Sequence, residues 1–217
     1  FDVIGSTNDW MRASVDGLPN GAAVVAREQT AGRGRRGRHW SSPVGGLWMS
    51  VLFRAFPDQR AAQPLTLCAG LAVRELLIDR LGAGYADTLR IKWPNDIYYN
   101  DRKLAGILAE SVEAGDGAAL IIGIGINVNN RTEGIGDPPA VSCIDIIGSP
   151  LDINEFAVSL RLSLLDWTAR LRADGRLTSY LNAYSRASYG FGRRVRLLDA
   201  TVQDRSGGGI RQCADLT

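Results

Sequence analysis

Lysine is nearly missing from this chain. Of its 25 basic residues only Lys92 and Lys103 are lysine, and the rest are arginine. A chain that uses arginine almost everywhere for generic positive charge singles out its few lysines as places where a compact ammonium is wanted. Histidine is scarcer still, with His39 the only one, which argues against a Ser-His-Asp triad or a histidine-rich metal site. The cysteines Cys68, Cys143 and Cys213 are odd in number, widely spaced and without a CxxC pair, a pattern of reduced cytoplasmic thiols rather than a disulfide framework or zinc site. No apolar run approaches the roughly 18 residues of a membrane span, so no membrane partner is expected. No signal peptide is visible, and the chain opens on Phe1 rather than methionine, as a fragment would. Excess charge of one sign is also lacking: 25 basic residues face 23 acidic ones, for a net charge of +2. A protein living on nucleic-acid phosphates is usually more one-sided, so nucleic acid is not expected as the main partner.

What the 217 residues do contain is enough apolar content, 45%, to bury one sizeable core, or one large and one small. The order of elements predicts an α+β fold with a mostly antiparallel sheet. Asp2 to Ile4 ends a strand, and Ser6-Thr7-Asn8-Asp9 caps a helix running to about Val15. Ala22 to Ala26 and Leu47 to Phe53 read as buried strands on either side of a loop from Glu28 to Gly46. Apolar residues at helical spacing predict a long helix from Gln63 to Leu81. Short strands at Leu89 to Trp93 and Ile97 to Tyr99 lead through an Asn100-Asp101 turn into Lys103 to Val112. Ala118 to Asn127 is the strongest strand, Asp137-Pro138-Pro139 a loop, and Ile153 to Arg172 and Arg176 to Ser185 are helices. A β segment begins at Val195.

Four constellations carry chemistry. The run Gly32-Arg33-Gly34-Arg35-Arg36-Gly37-Arg38 puts four guanidinium groups on a loop whose glycines admit close approach to bare main chain. It is either a solvated basic patch or a built anion pocket. Its place between two core strands, with Trp40 behind it, favours the pocket. Lys92-Trp93-Pro94-Asn95-Asp96 ends a strand with an amide and a carboxylate at the sheet edge, either a plain Asx turn or a site where Asp96 orients a basic group or helps to hold magnesium. Lys103 enters an apolar strand, as an edge gatekeeper or as a charge that neutralises a phosphate. In Ile122 to Asn127, period two sets Gly123, Gly125 and Asn127 on one face and the isoleucines on the other. Bare glycines in a strand mark a bend or something lying flat against them, and the amide of Asn127 suits an adenine edge.

Together, Ser6-Thr7-Asn8, the GRGRRGR run, KWPND at 92–96 with KLAGIL at 103–108, and GIGINV at 123–128 resemble biotin protein ligases in order and spacing. The resemblance runs from about Phe1 to Tyr189. It implies a class II synthetase-like, biotin/lipoyl ligase catalytic domain over 1–189, without an N-terminal DNA-binding domain. Residues 190–217 would be a partial or truncated SH3-like domain. The implied reaction is ATP-dependent: biotin and ATP give biotinyl-5′-AMP, and the biotinyl group passes to a lysine of a biotin carboxyl carrier domain of an acyl-CoA carboxylase. The implied biotin-binding residues are Ser6, Thr7, Asn8, Gln29, Gly32, Arg33, Arg35 and Gly106. The implied ATP-binding residues are Arg36, Arg38, Trp40, Asn95, Asp96, Lys103, Gly123, Gly125 and Asn127. The resemblance gives the catalytic role to Lys103 and Arg35. Mg2+ is expected with the ATP, its ligands unassigned, in a cytoplasmic monomer or homodimer. The competing readings are a lipoate or octanoyl ligase on the same fold, which the Arg/Gly run and KWPND disfavour, and a non-enzymatic nucleic-acid binder, whose affinity would fall steeply with salt.

Overall fold

The computed structural model describes residues 1–56, 59–115, 117–136, 138–174, 178–192, 195–198 and 213–216. Its centre is a six-stranded sheet in which every neighbouring pair is antiparallel. In spatial order the strands are β2 (Ala23–Ala26), β4 (Leu47–Phe56), β8 (Gly117–Ile126), β7 (Arg102–Ala114), β6 (Asp96–Tyr99) and β5 (Leu89–Lys92). A short parallel pair, β1 (Val3–Ile4) with β3 (Glu28–Gln29), sits apart from it. Glu28 and Gln29 thus belong to a strand rather than to the start of the arginine loop, because their backbone pairs with the chain start.

The strands divide their residues by period two. Leu47, Met49, Val51 and Phe53 of β4, Ile107 of β7 and Ile122, Ile124 and Ile126 of β8 enter one core, shared with the helices behind the sheet. Those helices are α2 (Gln59–Leu81), α4 (Ile153–Asp174) and α5 (Thr178–Ala187). Helix α2 begins before the expected Gln63, and its buried apolar residues are seen from Leu65 onward. Phe156, Leu160, Leu164 and Trp167 of α4 recur at three- and four-residue spacing and fill the same core. The opposite sheet face holds a smaller cluster in which Met11 and Val15 meet Leu52 and Ile121. Met11 lies on α1 (Thr7–Ala13), capped by the Ser6 side chain accepting from the Asp9 N–H, as the Ser-Thr-Asn-Asp run predicts.

Helix α3 (Cys143–Ile147) has no periodicity long enough to be read from sequence, and its capping chemistry defines it. Asp145 accepts from the Ser142 N–H at 2.9 Å, the Ser142 hydroxyl at 2.6 Å and the Thr132 hydroxyl at 3.0 Å. Burial raises the Asp145 carboxyl, but these hydrogen bonds, with the charge of Arg102, outweigh it and hold the group below its ordinary value. A carboxylate lowered in the folded state contributes stability above its unfolded value of about 3.9, and that contribution is lost as pH falls through the folded value. Ser142→Ala should therefore cost about 1 kcal/mol, a fall of about 2–4 °C in Tm at neutral pH. The deficit should shrink as the pH falls below about 3.9, which thermal melts across pH will check.

Cys68 and Cys143 are free and buried, and burial pushes each thiol up to about 12, so both stay protonated. At the C-terminal end β9 (Val195–Leu198) and β10 (Cys213–Leu216) pair antiparallel. The other residues of the expected SH3-like segment after Gly192 lie outside the described residues, as does Asp137 of the expected loop.

Candidate active site

The face of the sheet turned away from the long helices carries a cavity of about 630 Å³, within the range of small-molecule sites. Its floor is the β7–β8 ladder, where Gly106 pairs with Gly125 and Leu108 with Gly123. The glycines are bare for a specific reason. A Cβ on Gly125 would stand 2.5 Å from Trp40 Nε1, and one on Gly106 would stand 2.9 Å from Trp40 Cζ3. The indole therefore lies flat across both. A Cβ on Gly123 would meet Asn8 Oδ1 at 2.3 Å. The expectation that these glycines clear space for a flat ligand needs amending: the first objects against them are side chains of the protein itself, which in turn line the cavity.

One end of the cavity is neutral and polar. Gln29 Oε1 accepts from the Thr7 N–H at 2.8 Å and from the Thr7 hydroxyl at 3.1 Å, while its Nε2 donates to Ser42 Oγ at 2.8 Å. Ser50 Oγ lies 2.7 Å from Thr7 Oγ1 and 2.5 Å from Asn8 Oδ1. Ser6, Thr7, Asn8 and Ser50 are all buried. Their mutual bonds fix which atoms remain to meet a guest, the condition for reading a small polar head group.

The other end is charged. Lys103, at the start of β7, pairs with Asp96 at 2.8 Å and stands 4.9 Å above the Trp40 ring. Arg35 donates to Asn95 Oδ1 at 3.1 Å, and Asn95 Nδ2 donates to the Ile107 carbonyl at 2.7 Å, tying the arginine loop to the turn before β6. The loop folds as a small hairpin. Trp40 N–H donates to Gly32 O, Gly34 N–H to Arg38 O, and Arg36 and Gly37 turn the tip with positive φ of 57° and 72°. At the far end Asn127 is buried, and its Oδ1 accepts from Asn130 Nδ2 at 3.1 Å. A single carboxylate, Asp96, reaches this end beside the Asn95 amide. That donor set fits a magnesium ion that arrives on a triphosphate, since such ions take only one or two protein carboxylates. Among the described residues there is no cluster of three or more His, Cys, Asp or Glu to hold a metal by itself.

All the residues expected at the site line this cavity except Gly32. Gly32 is instead packed inside the loop base, where a Cβ would stand 2.3 Å from Trp40 O and 2.6 Å from Ser42 Oγ. Arg33 reaches the lining, but its guanidinium turns to Glu110 at 3.1 and 2.7 Å and to Asp9 at 2.7 Å. Sequence reasoning did not assign Lys92 or Tyr98 to the site, nor name Glu110, which stands behind the lining residues Asn8 and Arg33. Lys92 Nζ stands 4.8 Å over the Tyr98 ring, and both line the cavity. Burial first, then the nearby Asp96 and Tyr189, push the Tyr98 phenol up to about 12, so it keeps its proton at neutral pH. The scarcity of lysine had already drawn attention to Lys92. For Glu110 the signal was period two, which sets it on the same face as Gly106 and Leu108.

Comparison with known proteins agrees with this geometry. Residues 1–127 match the model of the biotin/lipoate A/B protein ligase family. The chain is 38% identical over 200 residues to the bifunctional ligase/repressor BirA of Escherichia coli (strain K12), covering 90% of this chain and 60% of that relative. It is 39% identical over 175 residues to the biotin--[acetyl-CoA-carboxylase] ligase of Paracoccus denitrificans, covering 78% of this chain and 72% of that protein. The chain thus spans only about three fifths of the length of the Escherichia coli relative. Among solved structures, the biotin protein ligase from Aquifex aeolicus in complex with biotin and ATP superposes with a TM-score of 0.76 at 27% identity, over 100% of this chain and 93% of that one. The chain belongs to the biotin/lipoate A/B protein ligase family.

Proposed function

We propose that this chain is an ATP-dependent biotin–protein ligase that makes biotinyl-5′-AMP and then hands the biotinyl group to a lysine of a carboxylase carrier domain. The observation that carries the reading is the division of one cavity into a buried, neutral hydrogen-bonding end around Thr7, Gln29 and Ser50 and a cationic end around Lys103 and the arginine loop. Such a site suits a substrate with a polar uncharged head and an anionic tail, brought against a second, polyanionic substrate. The names of its relatives support the same substrates.

In the first step a carboxylate oxygen attacks the α-phosphorus of ATP. The bond from that phosphorus to the bridging oxygen breaks, and pyrophosphate leaves with the electron pair. Two anions must meet for this to occur, and Lys103 with Arg35 offsets their repulsion and the charge developing on the phosphoryl oxygens. To do so Lys103 exchanges Asp96 for the incoming anions, and the freed carboxylate of Asp96 would help to hold a magnesium ion. That ion would supply further neutralisation of the phosphates. Asn127 presents its amide to the adenine edge, and Arg36 and Arg38 face the phosphates from the loop. In the second step the ε-amine of the carrier lysine attacks the acyl carbon, AMP leaves, and an amide remains. The mixed anhydride is open to water, so the loop from Thr30 to Gly46 serves as its cover. The free, buried thiols of Cys68 and Cys143 suit a reducing compartment such as the cytoplasm.

Pyrophosphate release should require biotin and ATP together, and labelled biotin should appear on a carrier domain, with lipoate ineffective. Release that is indifferent to biotin, or labelling by lipoate instead, would overturn the reading.

A further inference from the structure

Glu110 lies mid-strand in β7, two residues beyond Leu108 on the cavity side of the sheet, with its side chain only 18% exposed. An isolated carboxylate in that position would be costly, and this one is surrounded by donors. Both its oxygens take the fork of Arg33, at 3.1 and 2.7 Å. Arg12 of α1 reaches Oε1 at 2.9 Å, and Asn8 Nδ2 reaches Oε2 at 2.7 Å. Asp9 closes the group by pairing with Arg33 at 2.7 Å. Two acids and two arginines leave the cluster neutral, so Arg33 adds no net charge to the anion pocket.

The three donors come from two separate segments. Asn8 and Arg12 lie on α1, whereas Arg33 opens the arginine hairpin. Asn8 is also the amide that rests on Gly123 and touches Ser50 in the neutral end of the cavity. We propose that Glu110 is a positioning residue that latches the arginine hairpin to the head-group pocket, holding Arg33 on one side and Asn8 on the other. It acts through these two residues and does not touch the reacting atoms. A bidentate, charge-assisted contact on a partly buried acid is suited to this task, being stronger and more directional than a surface pair. The consequence for the reaction rests on the ligase reading: with the latch intact the cover stays seated, and the adenylate is handed on instead of escaping to water.

The test has two readouts. In the protein without ligands, amide hydrogen exchange is measured in peptides spanning residues 30–42, where the hairpin bonds of Trp40 to Gly32 and of Gly34 to Arg38 report its closure. Glu110→Gln should speed exchange there about tenfold, leaving peptides from α4 unchanged. In the second readout, the fraction of activated biotin lost as free adenylate or its hydrolysis product is compared with the fraction transferred to the carrier. Glu110→Gln and Arg33→Gln should each raise the lost fraction, and the double variant should be no worse than either single one. Multiplying effects in the double variant, hairpin exchange unchanged in Glu110→Gln, or faster exchange spread equally over the whole protein would overturn the latch. Because exchange is read without substrates, a wild-type protein that made no biotinyl-AMP would defeat the ligase reading while the latch stood or fell on its own result.

Discussion

Lys103→Ala should reduce biotin- and ATP-dependent pyrophosphate release by a factor on the order of 10²–10³, the scale set by removing one preorganised donor from a developing oxyanion. The argument rests on placement. The ammonium stands between the Asp96 carboxylate at 2.8 Å and the face of Trp40 at 4.9 Å, with no more than about a quarter of its side chain exposed. Held over the face of Trp40 by Asp96, the ammonium is already in place for an incoming anion. Lys103→Arg should not restore the rate, because a planar, delocalised guanidinium does not reproduce the compact point charge of an ammonium. Binding of biotin alone, measured by calorimetry, should weaken far less than the rate, since the lysine acts most where the two anions meet. Release unchanged in Lys103→Ala would remove this residue from the chemistry.

Gly123→Val is expected to weaken biotin binding severely. A Cβ there would stand 2.3 Å from Asn8 Oδ1 and 2.8 Å from its Cγ. Asn8 cannot swing away cheaply: it is buried, bonded by Ser50 and anchored through Glu110. Displacing it would leave a buried amide without partners, at about 1–3 kcal/mol, besides about 1–3 kcal/mol for the overpacking itself. Those costs fall on the cavity end that reads the head group, so affinity should drop by about 100-fold or more, with the fold retained. Gly17→Ala, where a Cβ would find nothing within 4 Å, is the control and should bind normally. Normal affinity in Gly123→Val, checked by calorimetry, would mean that Asn8 has no part in the pocket.

Much of this architecture was legible in the residues alone because it depends on period. The alternation of glycine and isoleucine in β8 separates a core face from a site face, and the sheet follows that division. The cap at Ser6 and the antiparallel order follow from equally local chemistry. Contacts made by distant segments were not legible. Nothing near Trp40 in the chain indicates that its ring lies on Gly106 and Gly125, and nothing near Arg33 names Glu110, 77 positions away, as its partner. Helix α3 escaped because five residues are too few to show a period, and its stability comes from Asp145 and Thr132 rather than from propensity. Arg33, expected as a ligand contact, lines the cavity while its charge is balanced within the fold by Glu110 and Asp9, which nothing in its neighbourhood along the chain indicates.

The alternation along β8 has a further consequence for how the protein can vary. From Ile122 to Ile126 core and site are written on the same five residues as interleaved texts, the isoleucines in one and the glycines in the other. A substitution edits a single text: changing Ile122 alters packing behind the sheet, and changing Gly125 alters the seat of Trp40. An insertion or deletion of one residue within the strand transposes the two, sending isoleucines into the cavity and glycines into the core. This strand can thus accumulate point changes one function at a time, but it has almost no tolerance for a change in length.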